Sequence, residues 1–305
     1  MEANTINEMS MSMKKKNERK EYLIAFLFLA PWLIGIIVFT LWPFISSFIM
    51  SLQKTNLFSS TFIGFDNYIE LFGDWKFQKS LLVTLKFVFI SVPLKLAFAL
   101  FIAVLLNDKI KGTNFFRSAL YLPSLIGTSV AVAAMWTQLF GPRGLVNNVV
   151  ELFRIQGRSW IANPDTALYI LVLLVVWQFG SSMVIFLSGL KNIPSSLYEA
   201  AEIDGANKVQ LFFCVTLPML SPIILFNLIL QTIGSFQIFT QAYIITRGGP
   251  LNETLFMVLH IYNKAFLASE MGYASALSWI LLLVILVVTG IIFLTSKHWV
   301  YYESE

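Results

Sequence analysis

The chain has 305 residues, of which 57% are hydrophobic and 12% are charged, and its formal net charge is +4. Soluble domains contain about twice that share of charged residues, so this chain cannot cover a water-exposed surface. The composition therefore excludes an ordinary soluble enzyme, a disordered chain and a nucleic-acid-binding protein, and a single cysteine excludes a disulfide framework. Together with a mean hydropathy of +0.74, these values indicate a membrane protein.

Six apolar segments are long enough to cross a bilayer, because a transmembrane helix needs about 20 residues. Apart from Lys95 in the second, they contain no Asp, Glu, Lys or Arg and cover 22–53, 87–107, 118–142, 166–190, 209–246 and 271–296. Pro218 and Pro222 predict that the long fifth segment divides into a lead-in and a span over about 221–246. The runs do not alternate as barrel strands do, so we predict an all-α polytopic membrane protein with about six transmembrane helices.

The predicted transmembrane domain covers 22–298, between a basic cytoplasmic tail at 1–21 and a cytoplasmic C-terminus at 299–305. The first apolar run is too long for the h-region of a signal peptide, so we interpret it as an uncleaved span. With the N-terminus inside, the cytoplasmic side carries eleven Lys and Arg residues and the outer side eight. The tail supplies five of the eleven, so this bias alone supports the orientation only weakly.

Several kinds of catalytic site are absent from the sequence. No Gly-Lys dipeptide is present, so no P-loop can form, and two distant histidines, His260 and His298, exclude a zinc-protease helix. No catalytic or metal-ligating residue is predicted. The spans contain no central Asp or Glu, which argues against a self-powered carrier, although ion sites made of backbone carbonyls remain possible. If the protein moves a solute uphill, another subunit must supply the energy.

The connection between the fourth and fifth apolar segments predicts a helix, a glycine bend and a second helix. Ser196 and Glu199 have the spacing of a capping box, which predicts that they start the first helix. Gly205 suits the left-handed position that ends such a helix. The second helix is predicted to run to Pro218.

The first of these helices is predicted to offer a docking surface. Ala200 and Ala201 allow another protein to approach closely. Glu199, Glu202 and Asp204 surround them with carboxylates that can pair with Arg or Lys of a partner.

This connection resembles the EAA loop of binding-protein-dependent ABC importer permeases. The family pattern is Glu-Ala-Ala, three residues, Gly, nine residues, an aliphatic residue, one residue and Leu-Pro. The matching residues are Glu199, Ala200, Ala201, Gly205, Val215, Leu217 and Pro218, with Val215 in place of the usual Ile. The resemblance implies that the loop at 191–218, including Asp204, is the coupling helix that docks on a cytoplasmic ATPase. It also implies that this loop faces the cytosol, in agreement with the predicted orientation.

Other motifs are similar to those of the maltose-type sugar permeases, and this resemblance covers 22–295. They are Phe115-Phe116-Arg117, Leu122-Pro123, Trp136, Gly189-Leu190, Ile193-Pro194, Gly248-Gly249-Pro250 and Gly272-Tyr273-Ala274-Ser275-Ala276. The resemblance implies a bacterial inner-membrane importer of sugars or oligosaccharides, with a second permease, two ATPases and an extracellular or periplasmic solute-binding protein. It implies that this chain is a transport subunit rather than an enzyme and binds no cofactor, while ATP and Mg²⁺ bind to the partner ATPase.

Polar residues at helical spacing predict the substrate pathway. Asn227, Gln231 and Ser235 form an i, i+4, i+8 stripe on the fifth segment. Gln138 and Gln178 lie on the third and fourth segments. Because small and polar residues also mediate helix packing in membranes, both roles stay open.

Lys95 is a single charge in the middle of an apolar segment, two residues after Pro93. An ammonium at that depth costs about 2.5–3.5 kcal/mol on insertion scales, so it is expected to face protein or water. It either extends to the interface or bonds to carbonyls freed by Pro93, or it lines the pathway and attracts hydroxyl-rich or acidic sugars.

Two alternative functions also stay open for the protein as a whole: the same machinery importing glycerol-phosphate, and a self-powered secondary carrier.

Overall fold

The computed structural model describes residues 20–22, 24–55, 59–107, 112–154, 157 and 159–301. Most of the predicted basic tail and the last four residues of the predicted C-terminal segment lie outside this part of the chain. Within it, four helices are long and apolar enough to cross a membrane, and two bent helix pairs bring the possible number of spans to six. The spans, numbered one to six, are Lys20–Ser51, Trp75–Asn107, Phe115–Ile126 with Val130–Leu139, Ala167–Trp177 with Gly180–Asn192, Lys208–Ile245 and Met271–Ser296.

The remaining elements are short and lie mostly in the connections between spans. Two strands after span one pair antiparallel, with Lys54 opposite Thr61. A π-helical turn at Ile37–Leu41 lies within span one, before its last helical stretch at Trp42–Ser51. The strands are Gln53–Thr55 and Ser60–Phe62, and the connecting helices are Asp66–Gly73, Leu145–Leu152, Ser195–Ile203 and Met257–Tyr262, the last followed by a π-helical turn at Asn263–Leu267. The predicted all-α polytopic architecture is confirmed.

Span two begins at Trp75, well before the predicted start at 87. The prediction excluded this stretch because it contains three lysines, but two of them interact with other residues of the protein. Lys79 forms an ion pair with Glu253, and the Lys86 ammonium lies 5.3 Å from the centre of the Tyr169 ring. The helix therefore extends beyond the apolar stretch that the sequence marks.

The third span is sharply bent, whereas one span over 118–142 was predicted. Its helices, Thr113–Ile126 and Val130–Leu139, meet at 97°. Ser129 caps the second helix by accepting a hydrogen bond from the backbone N–H of Val132 at 3.3 Å. Span four bends by 42° between Trp177 and Gly180. Apolarity alone does not reveal such breaks, because they depend on caps and on insertions into the helical ladder.

Span five runs through both of its prolines, so the predicted division at Pro218 and Pro222 is wrong. Proline lacks a backbone N–H and leaves a carbonyl free one turn earlier. Pro218 is the second residue after a π-helical turn, where the regular hydrogen-bond ladder is already interrupted. Ser221 donates its hydroxyl to the Pro218 carbonyl that Pro222 leaves free. The successive parts of span five are Lys208–Leu211, Phe212–Thr216, Leu217–Phe236 and Thr240–Ile245.

Span two lies at the centre of the bundle and packs against spans four and five, while span one packs against span six. The buried ring of Phe87 meets Phe256 edge-on, with ring centres 4.9 Å apart. A Cβ at Gly189 would fall 2.2 Å from Ile223 Cδ1, so a larger residue at this position would have to displace that side-chain end of span five. This packing brings the polar residues of spans two, four and five towards one another.

Candidate functional site

The Glu-Ala-Ala sequence lies on the short helix Ser195–Ile203, between spans four and five. Pro194 is its N-cap, with an extended backbone at φ −60° and ψ 133°. The predicted capping box of Ser196 and Glu199 is wrong, because Ser196 lies inside the helix and no side chain caps this end. Proline fixes the φ angle from which the helix starts, and here it stands in place of a side-chain cap.

The helix is followed by a glycine in the left-handed conformation, as predicted. Gly205 has φ +83° and donates its N–H to the carbonyl of Glu202 at 3.0 Å. The N–H of Ala206 donates to the carbonyl of Ala201 at 2.9 Å. These two bonds form the Schellman pattern, which satisfies the last carbonyls of a helix. Because a Cβ is strained at this φ, the bend depends on glycine.

A capping box starts the second helix instead of the first. Asn207 Oδ1 accepts hydrogen bonds from the backbone N–H groups of Val209 and Gln210, both at 3.0 Å. Gln210 Oε1 in turn accepts from the N–H of Asn207 at 2.8 Å. The sequence did carry this signal, since Asn-x-x-Gln also fits the pattern. Gly205 and Asn207 together set the direction in which the chain enters span five.

The predicted docking residues are accessible on the surface of the short helix. Glu199, Glu202 and Asp204 are exposed and belong to none of the three ion pairs in the described part of the chain. Ala200 is exposed, and Ala201 is half-buried. The helix therefore presents unpaired carboxylates beside small side chains, which suits contact with a basic groove on another protein.

One hydrogen bond joins this helix directly to span five. Tyr198 Oη lies 3.0 Å from Oγ1 of Thr216, which is buried in the π-helical turn of span five. Leu217 and Pro218 follow that turn and are half-buried. A displacement of the short helix can therefore reach span five both along the chain and through the Tyr198 hydroxyl.

A half-open cavity of about 290 Å³ is lined by polar and apolar residues of spans two to five. Four of the six predicted pathway residues meet there: Lys95, Gln178, Gln231 and Ser235. They come from three spans that are distant in sequence. The structure therefore brings together polar residues that the sequence predicted on separate segments. Their contact with a substrate stays a prediction.

Two predicted pathway residues lie outside this cavity. Gln138 is exposed on the second helix of span three. Asn227 is fully buried, and neither polar atom of its side-chain amide has a hydrogen-bond partner. The stripe on span five therefore lines the cavity with Gln231 and Ser235 but not with Asn227, its first member.

Sequence reasoning missed two glutamines of the cavity, Gln237 and Gln241. The main helix of span five ends at Phe236, and a new helix begins at Thr240. This break puts both glutamines on the cavity wall, although neither continues the stripe of a regular helix. Only the interruption of the helix decides their position, and no motif in the sequence marks it.

Lys95 lies in the cavity and is 8% exposed, so it does not extend to the membrane interface. Gln178 lines the same cavity, and its Nε2 donates to the carbonyl of Gly127 at 3.1 Å. This bond holds the Gln178 amide at the bend of span three. The cavity thus combines one ammonium group with side-chain amides.

A second polar cluster lies at the opposite end of the spans from the short helix. Asp74, just before span two, accepts a hydrogen bond from Tyr273 Oη at 2.7 Å, and His260 Nε2 lies 3.7 Å from the same carboxylate oxygen. Burial alone would raise the pKa of Asp74, but hydrogen bonds from Tyr273 and the Lys76 backbone N–H hold it below its usual value. Burial lowers the pKa of His260, against the opposite effect of Asp74. The cluster ties the starts of spans two and six to the connection before span six.

The whole arrangement matches a known family. Residues 74–299 fit the family model of the binding-protein-dependent transport system inner membrane component. The chain belongs to this family. It is therefore a permease, the membrane-embedded multi-pass subunit of such a transport system.

Relatives match the chain over most of its length. The probable ABC transporter permease protein YesP of Bacillus subtilis (strain 168) is 50% identical over 297 residues, which cover 96% of each chain. The arabinooligosaccharides transport system permease protein AraP of the same organism is 36% identical over 269 residues, 87% of this chain and 85% of AraP.

One solved structure has the same fold. It is the crystal structure of a bacterial ABC transporter involved in the import of the acidic polysaccharide alginate, with a TM-score of 0.81 and 22% identity. The match covers 92% of this permease and 97% of the chain in that structure. The likeness shows that this permease has the same overall fold as that chain.

Proposed function

We propose that this permease forms half of the translocation pathway of an ATP-driven importer of sugars or oligosaccharides. The observation that carries the proposal is the exposed Ser195–Ile203 helix, whose carboxylates are unpaired and whose Tyr198 contacts span five. The side-chain amides and hydroxyls of the cavity support a sugar substrate, because they are donors and acceptors for sugar hydroxyls. The relative AraP, which is named as a permease for arabinooligosaccharides, supports the same class of substrate.

The proposed assembly contains a second permease, two cytoplasmic ATPase subunits and an extracellular or periplasmic solute-binding protein. ATP and Mg²⁺ bind to the ATPases, and this chain binds no cofactor. Closure of the ATPase pair displaces the Ser195–Ile203 helix and, through it, span five, so that the cavity opens outward to receive substrate. Hydrolysis then resets the cavity inward. Transport against a gradient requires the two states to differ in their affinity for the substrate.

In the proposed topology, the short helix and both ends of the chain face the cytosol. The backbone N–H of Tyr301 donates to Ser221 Oγ at 2.8 Å, which keeps the end of the described chain beside the first turns of the Leu217–Phe236 helix of span five. The basic tail at the N-terminus favours the same side by the positive-inside rule. The Asp74 cluster then lies on the outer side of the membrane.

Co-purification from native membranes tests the docking role of the short helix. We expect tagged wild-type protein to bring down a second permease and a P-loop ATPase. Glu199→Arg should lose the ATPase by about tenfold or more, because a charge reversal at a desolvated contact costs several kcal/mol. Glu151→Arg, which makes the same change at an exposed residue of another connection, should retain it.

Two results would contradict this proposal. If no ATPase ever accompanies the wild-type protein, the coupling role is wrong and a self-powered carrier becomes the leading alternative. If Glu199→Arg retains the ATPase as fully as Glu151→Arg does, the docking contact does not involve this face of the helix.

A further inference from the structure

The cavity inside the bundle contains one charged side chain, Lys95, and no carboxylate among the described residues that line it. Lys95 belongs to none of the three ion pairs found in the described ranges. Buried charges in proteins are normally paired, and an unpaired ammonium within a membrane span is costly. The half of the proposed pathway that this permease forms thus carries, within the described ranges, a positive charge with no carboxylate partner.

The spans of this chain cannot supply the missing negative charge. Spans two to six contain no Asp or Glu at any position. Carboxylates occur only in the two terminal segments, at the very start of span one and in the connections, such as Asp74 and Glu253 at the ends of the bundle. A solute that passes through the cavity, by contrast, reaches Lys95 directly.

The neutral groups around Lys95 suit a hydroxyl-rich solute. The Gln178 amide already donates to Gly127, which leaves its Oε1 to accept a hydroxyl proton. Gln231, Gln237 and Gln241 add further amides, each with donors and acceptors. One ammonium among four amides matches a molecule with many hydroxyls and a single carboxylate.

A phosphate ester fits the same cavity less well. A phosphate monoester carries a charge of about −1.5 to −2, and proteins usually bind it with Arg forks or several cations. The described lining has one lysine and no arginine. The balance of charge therefore favours a carboxylate over glycerol-phosphate.

We propose that the transported solute is an acidic oligosaccharide, one that contains a uronic acid, and that Lys95 binds its carboxylate. This inference rests on the proposed importer function and narrows its substrate class. The lysine acts as a compact point charge, while the glutamines bind the hydroxyls of the same solute.

Transport by the whole importer, reconstituted with its partner subunits and binding protein, tests the inference. The probes are pairs of disaccharides in which one sugar unit either carries a carboxylate or does not. The three pairs contain galacturonate or galactose, glucuronate or glucose, and mannuronate or mannose. We expect the wild type to import at least one acidic member. Lys95→Gln should lower that uptake roughly 30-fold or more, as expected when one partner of a buried charge pair is removed, and change neutral uptake little.

Two further variants separate charge from structure. Lys95→Arg keeps the charge and should retain most acidic uptake. Lys86→Gln removes an exposed lysine from the same span, outside the cavity, and should behave as the wild type does. Co-purification of the ATPase with each variant checks that it folds and assembles.

The outcomes distinguish this inference from the function on which it rests. Import of neutral sugars alone, or equal loss of acidic and neutral uptake in Lys95→Gln, overturns the inference but leaves a sugar importer in place. Preference for glycerol-phosphate, or no uptake of any sugar by the wild type, overturns the proposed substrate class as well.

Discussion

Gly205 shows how much of the coupling loop depends on one residue. Its φ of +83° lies in the left-handed region, and open space surrounds the position of a Cβ, so backbone strain is the whole obstacle to substitution. That strain costs about 1–2 kcal/mol for a residue with a side chain, and more for a β-branched one. A side chain here would therefore change the angle between the short helix and span five.

We predict that Gly205→Val uncouples ATP hydrolysis from transport. Uptake should fall about tenfold, since 1–2 kcal/mol of strain favours another loop conformation, while the ATPase activity of the assembled importer persists. Gly290→Val is the matched control, because Gly290 also has open space around it but an ordinary helical backbone. Uptake and phosphate release in proteoliposomes measure both effects, and unchanged uptake in Gly205→Val would remove the claim.

At this residue scale, the sequence predicts conformation well where one residue type is required and poorly where several would do. A glycine after a helical stretch is the usual solution for a left-handed backbone, so Gly205 was predictable. A cap can be formed by several residue types, and Pro194 competes with Ser196 for the same helix start. The capping-box pattern is instead satisfied by Asn207, thirteen residues after Pro194, at the start of the next helix.

At the scale of elements, span five is more continuous than its sequence suggests. Proline interrupts a helix because it lacks a backbone N–H and leaves a carbonyl without its partner. Its presence in a sequence does not show whether other groups compensate for that missing bond. Here the π-helical turn before Pro218 and the hydroxyl of Ser221 do so. A continuous span five connects the coupling loop to the cavity through one rigid helix up to Phe236.

We predict that the Tyr198 hydroxyl helps to transmit motion from the short helix to span five. Tyr198→Phe removes the bond to Thr216 alone, and a hydrogen bond of this kind contributes about 0.5–1.5 kcal/mol. Sugar imported per ATP hydrolysed should therefore fall roughly two- to tenfold. Tyr301→Phe is the control, since the Tyr301 backbone rather than its hydroxyl bonds to Ser221. An unchanged ratio in Tyr198→Phe would show that the covalent chain between the short helix and span five is enough to transmit the motion.

At the scale of the whole molecule, the cavity exists only because four spans meet. Lys95 comes from span two, Gln178 from span four, and Gln231 and Ser235 from span five. The 97° bend of span three adds the Gly127 carbonyl that holds Gln178. The polar groups that line the cavity therefore come from several spans, and their arrangement is a property of the bundle.

We predict that the short helix faces the cytosol and the strand pair after span one faces outward. Cys214 is the only cysteine in the sequence, so Cys214→Ser gives a cysteine-free background. In intact cells a membrane-impermeant maleimide should label Thr61→Cys but not Ile203→Cys, although both positions are exposed. Permeabilised cells should show labelling of both, which is the control for reactivity. The reverse pattern in intact cells would overturn the topology.

Sequence alone determined the all-α polytopic architecture, the left-handed Gly205 after the Ser195–Ile203 helix, and the presence of a charge in an apolar segment. Each of these depends on a local property: hydrophobicity over about 20 residues, the φ angle of one residue, or the cost of one buried ammonium. Only the tertiary structure decided where spans bend, why span five passes its prolines, and that Lys95 shares a cavity with Gln178, Gln231 and Ser235. Those features depend on contacts between segments far apart in the chain, which no local pattern encodes.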